Sequence, residues 1–294
     1  MGTAMTTTLN LTDVAALGPL LILLIGALVV LLTETFAEKA ASKLSFPLSA
    51  LFIILALIAT VYAPVSDNPL LTPWLSFDPL ARLFTFFFLA IGLASAALAS
   101  AFFERFKATQ GEYYFLLLSA LFGLLLIGSS ADFLTLFLGL ETLSIALYVL
   151  CGYMKRWNIS HEASMKYFLM GALAAAFLLY GIALIYGAIG TTRFDGLLSG
   201  YRAMHSTQQS VLFLGGIALV TLGLAFKAAI VQVKRGGHSS THYNCSKLAK
   251  AVIFSTAGLM KLRTGAGYIP KNSIRITNGK AIRICLARIS THVC

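Results

Sequence analysis

Glu141, Lys166 and Lys227 are the residues of this sequence best placed to do chemistry, because each ionisable side chain sits inside a run of apolar residues. A charge at the centre of a bilayer costs about 2.5–3.5 kcal/mol on insertion scales, so such groups are kept where they pair or line a wet path. Glu141 is about nine residues from either end of the run 132–150, and Ser144 and Tyr148 follow it at i+3 and i+7. That spacing puts a polar stripe on one face of a helix. The stripe has two readings, a carboxylic acid held neutral by desolvation and hydrogen-bonded to a neighbouring helix, or a titrating proton or ion site. Lys227 stands near the end of the run 209–231, with Gly223 and Gly216 at i−4 and i−11 on its face. Small residues there let another backbone come close. By depth alone Lys227 is either a snorkelling terminal lysine or an embedded charge. Lys166 is only a few residues into its run, where snorkelling is the simpler reading of the isolated helix.

Other candidates are weaker. His161 and His205 fall in expected loops and read as solvated. Cys151 lies in an apolar run, while Cys245, Cys285 and Cys294 match neither a zinc ribbon nor a redox pair. No Gly-rich phosphate cradle, Ser-His-Asp pattern or metal-spaced cluster is present, and nothing resembles a redox cofactor site. The Ala-rich stretch after Lys166, with Gly171-Ala172 and Ala174-Ala175-Ala176, reads as helix packing.

The elements that must position these residues are membrane helices. Of the 294 residues 58% are hydrophobic and 11% charged, with a mean hydropathy of +0.85. A soluble domain carries about 25% charge, which excludes that class. A bilayer core needs roughly 20 apolar residues per helix, and seven such runs occur near 14–36, 45–63, 79–103, 112–131, 132–154, 163–189 and 209–231. Residues 1–13 hold no Lys or Arg and the first run is about 23 residues long, so it reads as a span and not as a cleaved signal peptide. Turn chemistry at 63–73 and 190–195 gives the connections expected of a compact bundle.

Loop charges set an expected orientation. Lys39, Lys43, Arg105, Lys107, Lys155 and Arg156 lie in the first, third and fifth loops, against Arg82, Arg193 and Arg202 on the other side. The positive-inside rule then places the N-terminus outside and residues 232–294 in the cytoplasm. The net charge of +11 belongs wholly to those last 63 residues, since residues 1–231 contain eleven basic and eleven acidic side chains. The longest apolar stretch in this tail, 251–260, is too short to span.

Four stretches carry a specific resemblance. They are Leu136-Phe-Leu-Gly-Leu-Glu141-Thr-Leu-Ser-Ile-Ala-Leu-Tyr-Val-Leu150, Glu162-Ala-Ser-Met-Lys166-Tyr-Phe-Leu-Met-Gly-Ala-Leu173, Tyr180-Gly-Ile-Ala-Leu-Ile-Tyr-Gly187, and Gly223-Leu-Ala-Phe-Lys227-Ala-Ala. Over roughly residues 10–231 the chain resembles subunit N of the proton-pumping NADH-quinone oxidoreductase, respiratory complex I. The resemblance implies an all-α polytopic membrane protein with an antiporter-like transmembrane helix bundle of about seven spans, truncated relative to the family. It implies that Glu141 is the membrane glutamate of the fifth helix, Lys227 the lysine of a broken seventh helix, and Lys166 the lysine between them. All three would then transfer protons. It further implies a translocase subunit without a redox centre of its own. NADH, FMN, iron-sulfur clusters and quinone would belong to partner subunits, and the contacts of this chain would be other membrane subunits of complex I and the lipid of a bacterial inner membrane.

After Lys227 the resemblance breaks. The family continues with a helix-breaking Pro-Phe-His-x-Trp-x-Pro-Asp stretch and seven more helices, whereas this chain reads Ile230-Val-Gln-Val-Lys-Arg-Gly-Gly-His238. Residues 1–231 therefore form the expected antiporter-like domain and 232–294 a basic tail outside the family, for which a reading-frame change is one origin. A cytoplasmic extension docking on anionic lipid is another, at about 1 kcal/mol per basic residue near the surface. Nucleic-acid binding is disfavoured, because the basic residues are scattered and form no recognition helix. Without the second half of the fold, the chain alone is not expected to pump. Two functional alternatives stand beside complex I, a subunit of a multi-chain cation/proton antiporter and a non-functional truncated membrane remnant.

Overall fold

The computed structural model describes residues 10–227 except 37, 67, 107–110, 155–157 and 205, and for 38–43 and 104–106 it describes the backbone. The basic loop residues Lys39, Lys43, Arg105, Lys107, Lys155 and Arg156, together with His205 and the tail 232–294, lie outside the described side chains. The described elements are helical: α1 (Leu11–Ala16), α2 (Gly18–Phe36), α3 (Glu38–Tyr62), α4 (Pro79–Phe106), α5 (Gly111–Ser129), α6 (Phe133–Cys151), α7 (Asn158–Ile189), α8 (Gly196–Arg202) and α9 (Thr207–Lys227). Seven of them are long and apolar enough to cross a membrane, and they fall on the seven expected runs.

The differences are local and have physical causes. The first run divides at Leu17, where Pro19 in the opening turn of α2 lacks the N–H that a continuous helix would need. The fourth run ends at Ser129, two residues early, because Ser130 and Ala131 are extended and pair with another loop. His161, expected in a loop, lies in the first turns of α7, which begins at Asn158. Arg202 closes the short helix α8.

Three connections are stitched together at one end of the bundle. Ser76 N–H donates to Ser129 O at 2.7 Å, and Ala131 N–H to Trp74 O at 2.9 Å, with Leu75 bridged to Ser130. The same turn donates from Phe133 N–H to Thr192 O at 3.0 Å and accepts at Ala131 O from Phe194 N–H at 3.2 Å. These bonds satisfy backbone groups that the helices leave open. Asp132, buried at the start of α6, accepts from Thr135 N–H at 2.9 Å and so caps the helix that carries Glu141.

Glycines let helix backbones come close between α7 and α9 and between α5 and α6. α7 lies most extensively against α9, and α5 against α6. A Cβ on Gly181 would come 2.8 Å from Gly216 O, one on Gly223 2.8 Å from Ala174 O, and one on Gly139 2.9 Å from Gly123 O. The close approach expected at Gly216 and Gly223 is therefore present. In the Ala-rich stretch of α7, Gly171, Ala174 and Leu178 make the buried face, whereas Ala172 and Ala176 are exposed.

Candidate functional site

The geometry brings two of the three expected residues together. Glu141 is the ninth residue of the 19-residue helix α6, and Lys227 is the last described residue of α9. Although 86 positions apart in sequence, Lys227 Nζ donates to Glu141 Oε1 at 2.5 Å. It also donates to Ser144 Oγ at 2.9 Å. The Lys227 side chain is 5% exposed and that of Glu141 26%. A snorkelling lysine would reach into water, so the terminal reading of Lys227 is replaced by a part-buried pair. Such a pair balances desolvation against mutual attraction, and removing one partner leaves the other charge uncompensated.

Each partner is held by a different packing device. Glu141 is fixed at mid-helix by α6, whose first turn is anchored at Asp132 and whose middle crosses α5 at Gly139. Lys227 is carried inward by α9, which the contacts at Gly216 and Gly223 hold against α7. The stripe read from spacing is real: Glu141, Ser144 and Tyr148 share a face, and Ser144 and Tyr148 are buried. Ser144 donates to Leu140 O at 2.6 Å, a bond back to its own helix that leaves its oxygen free to accept from Lys227.

Lys166 is placed elsewhere. It pairs with Glu162 one turn earlier on α7, and these side chains are 49% and 63% exposed. Its described partner is thus Glu162, and it is not joined directly to Glu141 or Lys227. Glu162 stands one turn before Lys166, the i,i+4 spacing that pairs opposite charges along a helix.

Two further features escaped the sequence reading. The Tyr148 ring, one turn beyond Ser144 on α6, stacks edge-on against Tyr167 at 4.7 Å and Phe168 at 5.8 Å. At the stitched end, buried Asp13 accepts from Ser66 Oγ at 2.5 Å, from Asn68 Nδ2 at 2.6 Å and from Asn10 N–H at 2.9 Å. The Ser66, Asn10 and Asn68 bonds hold its carboxyl below the ordinary aspartate range. Nothing in the spacing of residues 13 and 66–68 announces that cluster. Among the described residues no group of His, Cys, Asp and Glu could hold a metal ion.

A bundle of seven helices long enough to span, with a part-buried acid–lysine pair between α6 and α9, fits the antiporter-like class of membrane subunit. Residues 130–262 match the family described as NADH:quinone oxidoreductase/Mrp antiporter, transmembrane. The NADH-quinone oxidoreductase subunit N of Protochlamydia amoebophila is 60% identical over 229 residues, covering 77% of this chain and 48% of that protein. The protein of the same name from Chloroflexus aggregans is 37% identical over 221 residues, covering 74% and 45%. A chain of respiratory complex I from Thermus thermophilus with bound aureothin superposes with a TM-score of 0.60 at 27% identity, covering 81% of this chain and 52% of that one. Over its N-terminal part the chain belongs to the NADH-quinone oxidoreductase subunit N family. It spans about half the length of the relatives it matches.

Proposed function

We propose that this chain is a proton-translocating membrane subunit of an NADH-quinone oxidoreductase, with Glu141 and Lys227 as its proton-exchanging pair. The observation that carries the reading is the 2.5 Å bond between Lys227 and Glu141 across two helices inside the spanning region. Burial disfavours an ammonium and a nearby carboxylate favours it. The two groups are in direct contact, so a proton can pass between Lys227 Nζ and Glu141 Oε1 with no group intervening. Lys166, with Glu162 beside it, takes the proton onward through water.

Electron transfer from NADH to quinone, with its flavin and iron-sulfur centres, belongs on this reading to other subunits, and the contacts of this chain are membrane subunits and lipid. The N-terminus lies outside and residues 232–294 face the cytoplasm of a bacterial inner membrane. Residues 1–231 are the antiporter-like domain. On this proposal the tail is a shifted reading frame; the family match runs to residue 262, past the expected boundary at 231, which counts against it, and the DNA decides.

The test is NADH-driven proton uptake by inverted membrane vesicles carrying the full chain with its partner subunits. Uptake in sodium-free buffer that Lys227→Ala lowers by roughly tenfold or more, in the range typical of a lost proton-transfer group, supports the reading. Full uptake by Lys227→Ala in assembled complexes overturns it. The matched family description also names Mrp antiporters, and uptake that required sodium and ran without NADH would favour a subunit of a multi-chain cation/proton antiporter.

A further inference from the structure

Lys227 has two acceptors, and both belong to α6. Its Nζ donates to Glu141 Oε1 at 2.5 Å and to Ser144 Oγ at 2.9 Å. Glu141 and Ser144 are three positions apart, so they stand one turn from each other on the same face of one helix. The lysine, by contrast, ends a flexible four-carbon stem at the last described position of α9. One bond would leave such a stem free to swing about the carboxylate oxygen, whereas two bonds to fixed points on α6 set the place of the nitrogen. Ser144 is only 8% exposed, so bulk water competes little for its oxygen. Its proton is committed to Leu140 O at 2.6 Å, and toward Lys227 the hydroxyl therefore acts as an acceptor alone.

We propose that Ser144 is the positioning residue that keeps Lys227 Nζ at Glu141 Oε1 while a proton passes between them. The proposal rests on the proton-exchanging reading of the Glu141–Lys227 pair. In the transfer an N–H bond of Lys227 breaks and an O–H bond forms at Glu141 Oε1, so an ammonium and a carboxylate become an amine and a carboxylic acid. The amine keeps two N–H groups, and one of them continues to donate to Ser144 Oγ. The nitrogen is thus held in place in the state where the charge attraction to Glu141 is gone. Its lone pair stays within reach of the acid that must return the proton. Proximity of this kind is what a small displacement of a reacting group destroys.

The test measures NADH-driven proton uptake by inverted membrane vesicles carrying the full chain with its partner subunits, as a rate per assembled complex. Ser144→Ala removes the hydroxyl. Ser144→Cys fills nearly the same space with a sulfur that accepts only weakly. Ser144→Thr keeps a hydroxyl able to make the same bond back to its own helix. Ser144→Ala and Ser144→Cys are each expected to lower the rate by about tenfold, the order set by losing a hydrogen bond to a charged group, and Ser144→Thr to recover most of it. A parental rate in Ser144→Cys makes Ser144 a packing residue and overturns the proposal. A rate in Ser144→Thr no better than in Ser144→Ala overturns it as well; where the added methyl prevents assembly, the comparison of alanine with cysteine decides. Full uptake by Ser144→Ala, with Lys227→Ala defective, overturns the positioning role and leaves the proposed function standing. Full uptake by Lys227→Ala overturns the proposed function and the positioning role with it.

Discussion

At the scale of the residue, Glu141 on α6 and Lys227 on α9 hold each other at 2.5 Å, with Ser144 as a second acceptor for the lysine at 2.9 Å. Glu141 was legible because an acid at the middle of an apolar run is costly unless something compensates it. Lys227 was ambiguous, since a lysine at a helix end is commonly a snorkeller, and no one-dimensional spacing could show that α9 delivers it to a residue 86 positions away. Lys166 shows the converse: its proposed role comes from the resemblance, and its described partner is Glu162 at i−4. Asp13 has a consequence for acid stability. Its hydrogen bonds to Ser66, Asn10 and Asn68 lower its folded pKa below the ordinary 3.8. A group depressed in the folded state stabilises above its unfolded value and loses that contribution as pH falls through the folded one. Acidification below about 3.8 should therefore loosen the contact between α1 and residues 66–68. Hydrogen exchange at that end should rise on acidification in the native protein, whereas Asp13→Asn should show raised exchange already at neutral pH and less change on acidification.

At the scale of the element, helix positions followed from apolar run length, because a bilayer core imposes a length that few soluble helices need. Helix ends were less legible, since they depend on tertiary hydrogen bonds. The end of α5 at Ser129 is set by residues 74–76 and the start of α6 by Asp132 together with residues 192–194, and neither contact has a local signature. The glycines of α9 were read correctly because small residues on a lysine-bearing face serve close approach. Their role can be measured. Gly223→Ala should separate α7 from α9, lowering stability by about 1–3 kcal/mol as overpacking does. It should also lengthen the Lys227–Glu141 contact. Gly187→Ala and Gly215→Ala, where an added Cβ would meet nothing within 4 Å, should not lower the thermal midpoint of the purified protein and should raise it slightly, since alanine is the better helix former.

At the scale of the whole molecule, composition fixed the class and charge distribution suggested the orientation. The loop residues that carry the count, Lys39 to Arg156, lie outside the described side chains, so the orientation needs its own test. Ser76→Cys, in the connection before α4, should be labelled from outside intact cells by a membrane-impermeant thiol reagent, in a background otherwise free of cysteine. Asn158→Cys, at the start of α7, should be labelled only after permeabilisation. The reverse pattern would invert the proposed topology. The tail has an equally direct test, because a frame change predicts that another frame after codon 231 encodes an apolar continuation containing the family's Pro-Asp pair.

The central claim is that Glu141 and Lys227 act as one unit in proton transfer. Protons moved per NADH should be measured for Glu141→Gln, Lys227→Gln and the double variant in assembled complexes. Residues that act as a unit are strongly non-additive, so each single change should remove most of the proton yield and the double change should remove no more than the worse single one. Full proton yield in either single variant, or losses that multiply in the double variant, would contradict the account.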